Sequence, residues 1–368
     1  MKIVVIVCKP AVIVTLLLTL SASSWSQSSL DNAPVGSQAA DEVARARGRF
    51  GQPAACRDTT PHKMMFVEVE PGVRLEVLDW GGADKPHTMV LLTGLGDNAH
   101  VYDQFAFQFT DDFHVIGITR RGFLPSSQPD PAKRNSGYDV DTRARDDIAV
   151  LDALGISKAT FVGHSLAGSE LSKIGEVYKN RVDKLVYLDA HDLADQPPAP
   201  PGPASLLFTS DTLKSLWSYQ AASARFAAQR EPDPAVCIGF EFDRHGAIIG
   251  STTPEWVGPK LFEGVAGSVN PPTNWANIDA PRLGIFAQYT IEAKQAWYWY
   301  LTSAEQAEFD LAWPAFVAWR RDTIRKFAHE NPIRPLILPG APHYVYINNE
   351  TNVVLEMRKF LGLPVGGN

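Results

Sequence analysis

The sequence predicts an α/β protein, a mostly parallel, doubly wound sheet with a helical cap inserted into it. Three observations predict this. Six short runs are nearly continuously apolar: "TMVLLTG", "FHVIGIT", "TFVGH", "KLVYLDA", "RLGIFA" and "RPLILPG". Strands read this way when both of their faces are covered, as in a parallel sheet. Helical patterns lie between several of the runs, and strand–helix alternation builds βαβ units. From residue 192 to about 280 the rhythm breaks, which marks an insertion. The chain has 368 residues, 45% hydrophobic and 20% charged, so it can bury a large core and is not of disordered composition.

The elements follow in order. Residues 1–26 carry Lys2 and Lys9, an apolar stretch from Ala11 to Leu20, and Ser24 and Ser26 as a small −3/−1 pair. This is the pattern of a secretory signal peptide, and the uninterrupted apolar part is shorter than a spanning helix needs. Read instead as one stretch from Val4 to Leu20, the segment is an uncleaved anchor. The signal reading makes the protein exported, periplasmic or secreted, with no stable membrane span after cleavage. Residues 27–61 are rich in Ala, Ser, Gln and Arg and form an arm or linker. The first part of the core, 62–191, opens on "KMMFVEVEPGVRLEVLDWGG", where alternation on both sides of Pro71-Gly72 signals a hairpin. "DVDTRARDDIAVLDALGI" begins on capping residues and ends at Gly155, and a second helix follows from Leu166. The cap, 192–280, begins on "DQPPAPPGP" and holds Trp217, Phe226, Trp256, Phe262 and Trp275. The rest of the core, 281–368, contains a long helix from Ser303 that Pro314 should kink or split, and a last helix with Asn349 as its expected N-cap.

Several function classes are excluded. The net charge is −7 and no basic block occurs, so nucleic acid is not the partner. No phosphate loop G-x-x-x-x-G-K-[ST] and no helix-opening G-x-G-x-x-G follows a strand, which argues against a nucleotide cofactor. No His-x-x-x-His pair or cysteine cluster suggests a metal. Without the leader, which holds Cys8, two cysteines are left. Cys56 and Cys237 either pair in an oxidising compartment or stay as buried thiols.

The chemistry concentrates in "TFVGHSLAGSE", residues Thr160 to Glu170. A serine hydroxyl is a poor nucleophile unless a base takes its proton. A sharp turn from a strand into a helix exposes the hydroxyl at the carboxyl edge of a sheet and aims the helix N-terminus at the reacting centre. Such a turn tolerates only small flanking residues. Gly163-His164-Ser165-Leu166-Ala167 meets that demand, with Ala167 where the G-x-S-x-G pattern ends in glycine.

From about Phe66 to Leu361 the chain thereby resembles the α/β-hydrolase superfamily. The resemblance implies a nucleophile at Ser165. It implies an oxyanion loop at "LLTGLGDNAH", with Thr93-Gly94 where the family often has His-Gly. It nominates the amides of Leu95 and Leu166 as oxyanion donors, with Gly94 and Gly96 allowing close backbone approach. Arg121 and Gly122 of "TRRGFLPSS" match a loop of structural role. The family order Ser, acid, His implies a base after the last strand, and among nine histidines only His343 fits. His164 should point away from the serine, His329 falls in or at the end of a helix, and His100 is expected at the pocket entrance.

The acid that orients this base stays open at this point. The usual family position follows "PRLGIFA", where Gln288 stands and Glu292 comes a few residues later. The alternative family position is the end of "KLVYLDAHD", at Asp189, with Asp192 and Asp310 as further candidates. A serine at the elbow argues against the aspartate-dependent dehalogenase and epoxide hydrolase branches. The resemblance implies an ester hydrolase working through an acyl-enzyme, with no cofactor and a small, mostly apolar substrate suggested by the cap aromatics. The same triad could act on an amide, a lactone or a carbon–carbon bond, and the scaffold also serves ligand binding without catalysis.

Overall fold

The computed structural model describes residues 60–133, 137–190, 240–242, 248–264, 274–292, 298 and 303–365. The leader, nearly all of the arm, most of the inserted cap, Cys56, Cys237, Asp192, Trp217, Phe226 and the side chain of Phe262 lie outside the described residues.

Ten strands are described: β1 (Lys63–Glu70), β2 (Val73–Gly81), β3 (Thr88–Leu92), β4 (His114–Ile118), β5 (Ala159–His164), β6 (Val182–Leu188), β7 (Phe240–Phe242), β8 (Ile248–Ser251), β9 (Arg282–Gln288) and β10 (Leu336–Pro339). Eight form one sheet in the order β1-β2-β4-β3-β5-β6-β9-β10. The β1–β2 hairpin turns at Pro71-Gly72, and β2 also runs antiparallel to β4; every other pairing in this sheet is parallel. β7 and β8 form a separate antiparallel pair within the insertion. The helices are α1 (Val140–Ala153), α2 (Ala167–Val177), α3 (Val257–Glu263), α4 (Ser303–Glu330), α5 (Val345–Asn348) and α6 (Glu350–Leu361).

The apolar runs have a direct cause. Side chains alternate across a strand. In β3, Met89 and Leu91 enter one core cluster and Val90 and Leu92 the other. α1, α2 and the end of α4 cover the second cluster through Ile148, Leu171, Ile174 and Phe327. α5 and α6 cover the first through Val345, Val353 and Met357. Neither face of the central strands meets water, so both are mostly apolar.

α1 is bounded as its sequence requires. The Asp139 carboxylate accepts from the Thr142 backbone N–H at 2.8 Å. At the other end Gly155 takes φ +69°, and the Ile156 N–H reaches the Leu151 carbonyl at 2.9 Å. That is a glycine-terminated helix end of the Schellman kind. Asp139→Ala should therefore lower unfolding stability by about 1 kcal/mol, read from urea denaturation. An unchanged midpoint would show that the cap contributes nothing.

Two expectations are corrected. Of the kink or split expected at Pro314, the split does not occur: α4 is continuous over 28 residues. Phe309, Trp313, Val317 and Phe327 bury one stripe of α4, and this packing outweighs the hydrogen bond that proline forfeits. Asn349 precedes α6 but its side chain makes no capping hydrogen bond. The chain is already helical over α5, and the Asn349 N–H donates to Val345 O. No helix of the described residues is long and apolar enough to cross a membrane.

Candidate active site

The elbow is built by close packing. A Cβ at Gly163 would lie 2.9 Å from both the Ala167 Cβ and the Leu171 Cδ1. β5 and α2 approach that closely only because Gly163 has no side chain and Ala167 a minimal one. Ser165 sits between them at φ +55°, a left-handed conformation costly for a non-glycine residue. Its hydroxyl stands at the carboxyl edge of the sheet. The Leu166 N–H falls in the first turn of α2, where helix amides lack intrahelical partners.

His343 lies in the loop between β10 and α5. Its Nε2 is 2.8 Å from Ser165 Oγ, and its Nδ1 is 2.6 Å from Asp189 Oδ2. The ring is about one-third exposed, at 32%, whereas Asp189 is fully buried. Asp189 follows β6 at φ +46°. Its backbone N–H donates to Ile285 O of β9. Its Oδ1 accepts from the Ala287 N–H at 2.9 Å and from the Arg320 guanidinium. Its Oδ2 accepts from the Tyr289 hydroxyl at 3.2 Å as well as facing His343. Burial alone would raise the carboxyl pKa. The Arg320 charge, His343 and the Ala287 amide outweigh burial and hold it well below the usual carboxylate range.

Of the other acids weighed, Glu292 is exposed after β9, and Asp310 lies in α4 accepting from Tyr298 at 2.9 Å. The structure brings Asp189 to His343 because β6 and β9 are neighbours and both end beneath the histidine loop.

The oxyanion loop is held from behind. Arg120, fully buried, donates to Thr93 O at 2.8 Å and to Gly94 O at 3.1 Å. A trans peptide sets its C=O and N–H on opposite sides. Tying Gly94 O to Arg120 therefore turns the Leu95 N–H away from Arg120. A Cβ at Gly94 would meet His164 Nδ1 at 2.8 Å and Asp97 Oδ2 at 3.0 Å, so the loop has no room for one. Arg120 also forks onto Glu170 at 2.6 and 2.8 Å, and Arg143 joins Glu170 at 2.7 Å. Burial would raise the Glu170 pKa, but the two guanidinium groups lower it. This buried ion network ties α2 to the loop at Thr93 and Gly94. Arg121 instead forks onto Asp146 of α1, a structural anchor for its loop.

His164 turns away from Ser165, under His343. The two rings lie 4.4 Å apart, and His164 Nε2 is 3.2 Å from His343 O. Burial lowers the His164 pKa well below the usual histidine value, so the ring is neutral. Tyr344 packs on the same ring and donates to Asp97 at 3.1 Å.

His100 does not line the entrance, which corrects the expectation. It is buried between Asp103, at 3.1 Å, and Glu76, at 3.3 Å. Burial opposes its charge, but hydrogen bonds to the two carboxylates raise its pKa to about 10. His62, His100 and Asp103 place donor atoms within 4.8 Å of one another, a set that could hold a metal ion. Motif spacing could not reveal it, because the set is assembled across the fold. Both ring nitrogens of His100 already face carboxylates.

α3 packs beside the elbow. Val257 and Leu261 of α3 pack with Leu166, Phe123 and Tyr138, and Leu95 and Trp256 border this apolar cluster. Trp275 is elsewhere, in the core against Tyr187 and Phe327, so it does not belong to a substrate-facing set. Phe309 and Trp313 are likewise buried packing residues.

Comparison with known proteins agrees with this architecture. The family model described as the alpha/beta hydrolase fold matches residues 87–277, more than half of the chain. The protein belongs to the α/β-hydrolase family. A non-heme chloroperoxidase of Streptomyces lividans is 29% identical over 194 residues, covering 50% of this chain and 64% of its own. A bifunctional esterase/perhydrolase of Acinetobacter calcoaceticus is 33% identical over 129 residues, covering 34% of this chain and 45% of its own. The chain thus spans less than two thirds of these relatives. Among solved structures, E-2-(acetamidomethylene)succinate hydrolase superposes with a TM-score of 0.55 at 17% identity, covering 82% of this chain and all of its own. That likeness concerns the fold alone.

Arg120, Glu170, Tyr289 and Arg320 were not singled out from the sequence. A signal exists for two of them. Glu170 falls on the buried stripe Ala167, Leu171, Ile174, and Arg320 on the stripe Trp313, Val317, Phe327. A charge at an apolar-stripe position must find a buried partner.

Proposed function

We propose that this α/β-hydrolase is an exported serine hydrolase that cleaves a small, mostly apolar carboxylic ester through an acyl-enzyme. The observation that carries the reading is the unbroken chain from buried Asp189 through His343 to the Ser165 hydroxyl, at 2.6 and 2.8 Å. In this reading Ser165 Oγ attacks the ester carbonyl while His343 Nε2 takes its proton. The Leu95 and Leu166 amides receive the charge that develops on the carbonyl oxygen. His343, now an imidazolium held by Asp189, returns the proton to the leaving alkoxide. Water then enters, gives a proton to His343 and attacks the acyl carbon. Collapse of the second tetrahedral species restores Ser165 and frees the acid. The apolar cluster of Leu95, Leu166, Trp256, Val257 and Leu261 beside the elbow supports an apolar acyl or alcohol group. The leader-like N-terminus supports export.

The test is hydrolysis of p-nitrophenyl esters of increasing acyl length by protein lacking residues 1–26, with fluorophosphonate labelling alongside. Expected are turnover with a preferred acyl length and labelling at one equivalent on Ser165. Folded protein with neither turnover nor label would remove the reading.

A further inference from the structure

Asp189 receives more donors than orientation of His343 requires. A backbone amide and a tyrosine hydroxyl already satisfy it, and neither brings charge. Arg320 brings a full positive charge into the same buried pocket, with its side chain only 4% exposed. Its guanidinium also lies 5.2 Å from the centre of the Tyr289 ring, whose hydroxyl touches the same carboxylate. Asp189, Arg320 and Tyr289 thus form one packed unit contributed by the ends of β6 and β9 and by α4. Burying a guanidinium is costly, and removing either partner of such a pair leaves an uncompensated charge.

We propose that Arg320 is a positioning residue for the triad: it fixes the Asp189 carboxylate and balances its charge while His343 is neutral. The inference rests on the triad reading above. With Arg320 present, Asp189 and the neutral base sum to a neutral site. Protonating His343 then makes the site net positive. Loss of the Arg320 charge would leave that imidazolium balanced by Asp189 instead. The other groups facing His343 do not supply this balance. Ser165 comes from the elbow, neutral His164 from β5, and Tyr344 from the following position, with Asp97 of the oxyanion loop behind His164 and Tyr344. Tyr289 reaches Asp189 as an uncharged donor.

The experiment is the second-order rate of fluorophosphonate inactivation across pH, for the wild type and for Arg320→Gln, Arg320→Met and Arg320→Lys, with unfolding followed in parallel. This readout needs no knowledge of the natural substrate. Arg320→Gln should move the acid limb upward by about one pH unit, the effect of removing one neighbouring charge. Arg320→Met keeps the apolar bulk beside Tyr289 and should give the same shift, which covers failure of the glutamine variant to fold. Arg320→Lys keeps the charge but loses the planar guanidinium over the Tyr289 ring, so it should lower the plateau and leave the limb in place. Coincident acid limbs in folded wild type and Arg320→Gln would overturn the proposal and leave Arg320 a brace between α4 and the sheet. An equal shift in Arg320→Lys would also overturn it, since the charge would then not be the cause. A wild type that never labels would overturn the triad itself, and this inference with it.

Discussion

Ser165→Ala is expected to lower kcat on p-nitrophenyl esters by about 10⁶-fold, because a nucleophile–base–acid chain acts as a unit and fails when its first member goes. Stability should hardly change. The native φ of +55° is not easier for serine than for alanine, and among the described residues the hydroxyl's hydrogen bond is the 2.8 Å one to His343. Ser165→Gly separates the two roles of the position. Glycine enters the left-handed region freely, so Ser165→Gly should gain about 1 kcal/mol over Ser165→Ala while being equally inactive. Urea unfolding of the two variants measures the difference. A glycine variant no more stable than the alanine one would mean that the elbow stores no strain. Residual turnover in Ser165→Ala near the wild-type rate would place the chemistry elsewhere on the chain.

The fold was legible where one physical demand selects residues along a continuous stretch. β3, buried on both faces between two core clusters, is apolar at four successive positions, Met89 to Leu92, and the run reads as a strand. The elbow was legible for a related reason. β5 and α2 meet so closely that Gly163 and Ala167 must be small. Pro314 shows the limit of local rules, since the buried stripe of α4 carries the helix through it. What remained illegible depends on which elements become neighbours. Choosing between Asp189 and Glu292 requires knowing that β6 lies beside β9, with Leu188 opposite Ile285. The bracing of the oxyanion loop joins Arg120, Arg143 and Glu170, from three separate segments. The place of Glu170 on a buried stripe announces that it needs a partner, but sequence alone does not say which.

Asp189→Asn tests that choice of acid and should have the second-largest effect. The amide keeps the carboxylate's shape, and with its oxygen at the Oδ1 position it still accepts from the Ala287 N–H, while its NH₂ replaces the oxygen that Tyr289 and His343 share. Toward His343, however, an asparagine presenting its NH₂ favours the tautomer with Nε2 protonated. That nitrogen then donates to Ser165 and cannot take its proton. Loss of the correct tautomer costs on the order of 10⁴ in kcat in a serine triad. Glu292→Gln should leave turnover unchanged, since Glu292 is exposed away from the buried acid position. Asp189→Asn also strips Arg320 of its counter-charge, which should cost about 3–5 kcal/mol of stability. Adding Arg320→Gln removes the stranded charge. The double variant should recover most of that stability and none of the turnover. The two readouts therefore part company: stability follows the ion pair, and kcat follows the carboxylate. If Asp189→Asn kept near-normal turnover, the buried aspartate would be only the partner of Arg320, and the acid of the triad would have to be sought again.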